Sequence, residues 1–326
     1  MIPAAGEQRL ARAALTYLAE PADPAAGFLL SACEPAEVLA AIKAGRIPAE
    51  TRARATPAQA AAIAQAIACW HARSAQVPSP AELAAHDKAG IRLICPGDPD
   101  WPPQLDVLGG TRPYALWLRG SASLPGVCVR SVSITGSRAA TAYGQHVSAA
   151  IAAGLAGSGW TVISGGAYGI DAAAHRAALA AGGATITVLA SGADQPYPRG
   201  NHDLFEAITA RGLLVSEWPP GTAPTRTRFA RRGRVIAALG GGSVVVEAGP
   251  RSGAIDTAKY ARQVSRHLMA VPGPVNLRRL SRLPPADPRM RRRLRHQRCR
   301  RNRPDHGPRR RPLRQAGLVT GPPAQT

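Results

Sequence analysis

The chain has 326 residues and a formal net charge of +21, long enough for one large or two modest domains with a real core. The charge is uneven: residues 276–326 hold sixteen arginines, no lysine and only Asp287 and Asp305 as acids, so they carry +14 and leave +7 for the rest. Basicity therefore describes the tail and is weak support for a nucleic-acid partner, while five scattered cysteines without a CxxC pair exclude a spacing-defined zinc site and suit a reducing compartment.

Helical spacing covers 7–20, 34–45 and 57–73, with Pro-broken connections. This predicts a small helical domain over residues 1–80. Residues 91–95 and 114–118 read as lead-in strands around a Pro-rich loop, Pro96 to Pro103. From 131 onward apolar runs alternate with amphipathic segments. Strands are expected at 131–135, 160–164, 185–189, 213–216, 243–247 and 267–271. Helices are expected at 142–157, 169–181, 200–210, 230–239 and 253–264. The pattern predicts the α/β class: a Rossmann-like, mostly parallel sheet with helices on both faces, over residues 81–275. Right-handed crossovers place the turns after the strands along one rim, with Gly136, Gly165, Gly192 and Ser216 on it.

Residues 276–326 break this pattern, with Arg and Pro in place of Ala and Gly and no apolar period. Such a composition predicts a disordered tail. An arginine-rich arm that binds nucleic acid is one reading. A shifted reading frame is the other, since alanine and glycine codons of GC-rich DNA read one base out become arginine and proline codons. The abrupt change after Val275 and the lack of lysine favour the second. The sequence has no signal-like apolar core and no run able to span a bilayer, which predicts a cytoplasmic protein without membrane contact.

Two glycine turns carry the chemistry. Ser164-Gly-Gly-Ala-Tyr-Gly-Ile-Asp171 follows a strand and opens a helix, as does Gly136-Ser137-Arg138 upstream. Backbone N–H groups at such turns suit a phosphate, and Arg138 supplies a fork. The plain alternative is tight helix–strand packing with a solvated arginine. Neither turn is a Walker A loop, and the only lysines are Lys43, Lys88 and Lys259, which argues against ATP hydrolysis. GxGxxG is absent from the first turn, so a dinucleotide is poorly supported. Arg199 and Asn201, in Pro196 to Asn201, are placed to face the same rim. Arg231, Arg232 and Arg234 at an expected helix start oppose the helix dipole, which makes sense beside an anion. Glu247 ends a strand, and His175 and His202 lack partners at catalytic or metal spacing. Tyr143, Tyr168 and Phe229 sit near the glycine turns.

In this order the motifs resemble the DNA-processing protein A family. They are Ile134-Thr-Gly-Ser-Arg138, Tyr143-Gly144, Ser164 to His175, Ala190-Ser-Gly192, Tyr197 to Asn201, Ser216-Glu217, Pro219-Pro-Gly221, Arg231 to Ile236, Val244 to Ala248, Arg251 to Ala254 and Ala270 to Gly273. The match covers roughly residues 91–275. The resemblance implies a Rossmann-like domain that binds single-stranded DNA, delivers it to the RecA recombinase in natural transformation, and self-associates into a homodimer. It implies phosphate-binding positions at Gly136, Ser137, Arg138, Ser164, Gly165, Gly166 and Arg199, to which the residue reading adds Gly169, Asn201, Arg231, Arg232 and Arg234. No catalytic residue, metal or cofactor is expected. Gly233 departs from the family's Arg-Asn-Arg pattern, and the tail replaces the segment that follows Val-Pro-Gly. The alternative is an enzyme, a nucleoside-monophosphate phosphoribohydrolase of the lysine-decarboxylase-like group, with Glu247 catalytic.

Overall fold

The computed structural model describes residues 5–249 and 252–273. The expected tail, 276–326, lies outside them. The described residues belong to one compact unit, Met1–Pro284.

Six helices come first: α1 (Ala5–Leu18), α2 (Pro24–Ala32), α3 (Pro35–Lys43), α4 (Ala49–Arg54), α5 (Pro57–His71) and α6 (Pro80–Lys88). Four of them begin at a proline, whose fixed φ and missing N–H suit a first helical position. Asp23 caps α2, and Thr56 with Gln59 and Ser79 with Glu82 form reciprocal caps on α5 and α6. The segment Pro78–Pro80, expected to end the helical region, thus starts another helix.

The sheet elements follow: β1 (Ile91–Ile94), a 3-10 segment (Pro103–Thr111), β2 (Leu116–Arg119), α7 (Leu124–Cys128), β3 (Ser131–Thr135), α8 (Ala142–Gly157), β4 (Thr161–Ser164) and α9 (Ile170–Ala180). Then come β5 (Thr185–Val188), α10 (His202–Arg211), β6 (Leu213–Ser216), α11 (Arg226–Leu239), β7 (Gly242–Val245), α12 (Gly253–Gln263) and β8 (His267–Ala270). The strands form one sheet in the order β1-β2-β6-β5-β4-β3-β7-β8. β1 and β2 run antiparallel to their neighbours, and β3 to β8 are parallel.

Helices cover both faces of the parallel part, because consecutive strand residues point to opposite sides. On β4, Val162 packs with Ala152 of α8 and Ala174 of α9, while Ile163 packs with Val235 and Leu239 of α11. The N-terminal helices bury their own core around Leu15, Leu29, Ile42 and Ile67. They also bond to the sheet: Trp117 Nε1 donates to Thr16 Oγ1 (3.2 Å), Tyr114 Oη donates to Glu20 O (3.0 Å), and Arg9 donates to Leu93 O.

α11 differs most from expectation. It starts at Arg226, with Thr225 Oγ1 accepting from Arg228 N (3.3 Å), four residues before the expected 230. Arg231, Arg232 and Arg234 therefore lie in its second and third turns and do not crowd the positive end of its dipole.

Candidate nucleic-acid interface

From β3 the chain winds one way through β4, β5 and β6, and from β7 the other way to β8. The strand order reverses between β3 and β7, and a crevice at their C-terminal ends is where such sheets take ligands. Gly136-Ser137-Arg138 leaves β3 there and Glu247 leaves β7. Ser137 N donates to Glu247 O (2.6 Å). Glu247 Oε2 accepts from Thr141 N (3.0 Å) and Thr141 Oγ1 (3.1 Å), at the N-terminus of α8. A carboxylate of the protein thus already sits where an external anion would meet that helix. The same contacts hold Glu247 in a structural role.

The second turn is closed from inside in a similar way. Asp171 Oδ2 accepts from Ala167 N (3.3 Å), Ile170 N donates to Ser137 O (3.2 Å), and Ser164 Oγ donates to Ile134 O (2.6 Å). Gly169 has φ 75°, and a Cβ there would collide with the carbonyls of Ser137 and Arg138, so the two glycine turns touch. The expected cradle of Ser164, Gly165 and Gly166 is buried and faces the protein. These residues build the rim, and the exposed groups near it are side chains.

Phe229, in the first turn of α11, gathers those side chains. The Arg138 guanidinium lies 4.6 Å from its ring centroid and that of Arg232 4.9 Å. Tyr197 meets the same ring edge-on at 5.8 Å. Arg138 is exposed, whereas Arg232 is buried and donates to Gly165 O (2.5 Å) and Val188 O (3.3 Å). Asp171 is 4.0 Å from Arg232. Burial lowers the Arg232 guanidinium to about 10 despite Asp171, and burial raises the Asp171 carboxyl despite Arg232. Arg232 thus brackets the β4 turn, β5 and α11 from beneath, adding positive charge near the surface.

A family model described as DNA recombination-mediator protein A matches residues 92–281. The chain belongs to that family. It is 49% identical over 202 residues to a putative DNA processing protein DprA of Mycobacterium tuberculosis, covering 58% of this chain and 51% of that protein. It is 39% identical over 196 residues to protein Smf of Synechocystis, covering 58% of this chain and 48% of the other. The chain thus spans about half the length of these curated relatives. Among solved structures it resembles DNA processing protein A of Streptococcus pneumoniae, at 32% identity and TM-score 0.56, covering 64% of this chain and 72% of that one. It also resembles the Helicobacter pylori protein, whose structure is described for its single-stranded DNA binding mode. That likeness has 30% identity and TM-score 0.50, covering 54% of this chain and 80% of the other.

Within this recombination-mediator fold the twelve expected site residues separate. Gly136, Ser137, Arg138 and Gly169 come together at the β3–β7 crevice, and exposed Arg199 leads into α10 on the same rim. Four other expected residues make internal contacts. Asn201 is buried: its Nδ2 donates to Gly166 O (3.0 Å) and its Oδ1 accepts from Arg176 (3.3 Å). Arg234 is buried in a fork with Glu217, both contacts 2.5 Å. Arg232 is the internal bracket already described. Arg231 is half-buried, donating to Pro21 O (3.0 Å) with Glu20 Oε2 at 3.8 Å.

Glu20 also accepts from Arg228 (2.6 Å) and Trp218 Nε1 (3.1 Å). Burial pushes its carboxyl up, but Arg228, Trp218 and Arg231 outweigh this and hold it below the ordinary value. Sequence reasoning placed Tyr143, Tyr168 and Phe229 near the glycine turns and Tyr197 in a family motif, but gave none of them a part in the site. The available signal was Tyr197 two residues before Arg199 and Phe229 two before Arg231. His175 is a core residue. Thr185 Oγ1 donates to Val162 O (2.6 Å), so it accepts from His175 Nδ1 (2.7 Å), leaving Nε2 to accept from Thr187 Oγ1 (3.1 Å). Among the described residues there is no metal-holding cluster, and no helix is long and apolar enough to cross a membrane.

Proposed function

We propose that this chain binds single-stranded DNA by phosphate capture along the C-terminal rim of the parallel strands. It then hands the strand to a RecA-type recombinase in natural transformation. It works as a cytoplasmic homodimer and as a binder without turnover. Family membership supports this reading, as does the likeness to a Helicobacter pylori protein studied for its single-stranded DNA binding mode. The observation that carries it is Arg138. This exposed guanidinium stands at the switch point of the sheet, backed by Phe229 and by the buried charge of Arg232. A planar fork held at such a place suits a phosphate and carries little base information.

The test is a salt titration of oligothymidine binding by the full chain and by Arg138→Ala. Each single-strand phosphate contact contributes about 0.7 to the slope of log K against log salt. Arg138→Ala is expected to weaken binding and to make the slope shallower by about that amount. An unchanged affinity and slope would overturn the reading, as would release of free base from a nucleoside monophosphate. Delivery is checked by recombinase filament growth on the bound strand, with and without the chain.

A further inference from the structure

Aromatic residues make up 4% of the chain, yet the exposed ones among the described residues concentrate at one rim. Among the described residues the large apolar side chains left exposed are Val107, Val129, Tyr143, Tyr168 and Tyr197. All three tyrosines stand beyond the C-terminal ends of β3, β4 and β5. Tyr143 has a structural use, since its hydroxyl donates to Pro272 O (3.0 Å). Neither Tyr168, 49% exposed, nor Tyr197, 44% exposed, has a hydroxyl partner among the described residues.

We propose that Tyr168 and Tyr197 are nucleobase-stacking platforms that flank the phosphate-holding arginines. The proposal rests on the single-stranded DNA reading above and adds what selects a single strand. The two rings belong to one continuous surface. Tyr168 Oη lies against Gly200, where a Cβ would come within 2.5 Å of it. Gly200 adjoins exposed Arg199, Tyr197 lies two residues before Arg199, and the Tyr197 ring packs on Phe229 beneath Arg138. Exposed aromatic and cationic groups therefore intermingle along the rim, with Arg199 next to Tyr168 and Tyr197 and with Phe229 joining Tyr197 to Arg138. That mixture offers both kinds of contact that a single strand, with its phosphates and open base faces, can make.

Charge alone does not select a single strand. A duplex presents one phosphate per about 1.7 Å of axis, a denser array than a single strand. An arginine-only rim would therefore hold a duplex at least as well. What a duplex lacks is exposed base faces, because its bases are already stacked on one another. Aromatic platforms gain from base faces whatever the base, by about 1–3 kcal/mol each, which is about 5- to 150-fold in affinity. A tyrosine pays little for this role, since it has only two side-chain torsions to fix.

The experiment compares the full chain on oligothymidine, on an abasic strand of equal length, and on a duplex of equal length. The arginine tail sees the same phosphates on the first two probes, so it cancels in their ratio. The expected result is tighter binding of oligothymidine than of the abasic strand by about fivefold or more. Tyr168→Ala and Tyr197→Ala should each shrink that ratio, with unchanged affinity for the abasic strand. Tyr168→Phe should restore the ratio, because the ring remains. Equal binding of the two strands by the parent chain, with Arg138→Ala still weakening both, overturns the platforms and leaves phosphate capture standing. An alanine variant that weakens both strands equally also overturns them. Binding of neither strand overturns the proposal together with the reading beneath it.

Discussion

Arg138 and Phe229, far apart in sequence, are joined by a guanidinium–ring contact of 4.6 Å at the point where the strand order reverses. The contact holds the fork without consuming its hydrogen-bond donors, none of which has a partner among the described residues. An exposed cation–ring pair contributes only about 0.5–1 kcal/mol. Arg138→Ala should therefore lower unfolding stability by no more than about that amount in urea titration. Arg138→Lys should recover binding only in part, since a point charge cannot reproduce a planar fork. Full recovery with lysine would show that charge, not geometry, is what matters.

Arg234 makes the opposite forecast. Its guanidinium and the Glu217 carboxylate are both buried and meet in a two-point contact. Removing one partner leaves an uncompensated buried charge, at a cost of about 3–5 kcal/mol. Arg234→Ala should lose that much in urea unfolding, whereas any effect on DNA affinity should vanish once the folded fraction is corrected for. A stable Arg234→Ala protein with weak binding would return this arginine to the interface.

How much of this was legible follows from where the partners lie. The sheet was readable because each parallel strand is a short apolar run followed at once by a turn. The reciprocal cap at Ser79 and Glu82 was equally local, and it was overlooked because Pro78 and Pro80 suggested a linker. The internal partners of Arg232, Arg234 and Asn201 were hidden for a different reason. A charged or amide side chain reads as a surface group unless its partner is known, and theirs are Gly165 O, Glu217 and Gly166 O on distant segments. The helix start at Thr225 was hidden because Arg226 and Arg228 fit a first turn poorly, and the partner of Arg228, Glu20, lies far away in sequence.

Gly169 fixes how the two turns meet. At φ 75°, with the carbonyls of Ser137 and Arg138 against its Cα, it has no room for a methyl group. Gly169→Ala should cost about 1–3 kcal/mol from the backbone conformation alone. It should also weaken oligothymidine binding in the variant that remains folded, because it displaces the Arg138 backbone. A variant as stable as the parent, with unchanged affinity, would contradict the contact.

His175 gives the fold a pH dependence of known sign. Burial, with Arg232 and Arg176 adding to it, lowers its pKa from the ordinary 6.5 to about 3. The folded state therefore refuses a proton that the unfolded chain accepts. The stability this contributes is fully present above about 6.5 and is lost as pH falls from there toward 3. Urea unfolding followed between those limits should show one more proton taken up on unfolding than in His175→Asn. Equal slopes in the two proteins would mean that this ring charges in the folded state.

The N-terminal helices do more than cover the sheet. Glu20 sits between Arg228 and Arg231 and spends its single negative charge on both. A polyanion approaching from that side meets two guanidiniums whose joint charge is already halved, and it would have to displace a carboxylate to engage them fully. The helical layer therefore draws a border on the electrostatic map of the rim. On the proposed reading, a flexible strand is drawn toward the exposed Arg138 and Arg199 instead.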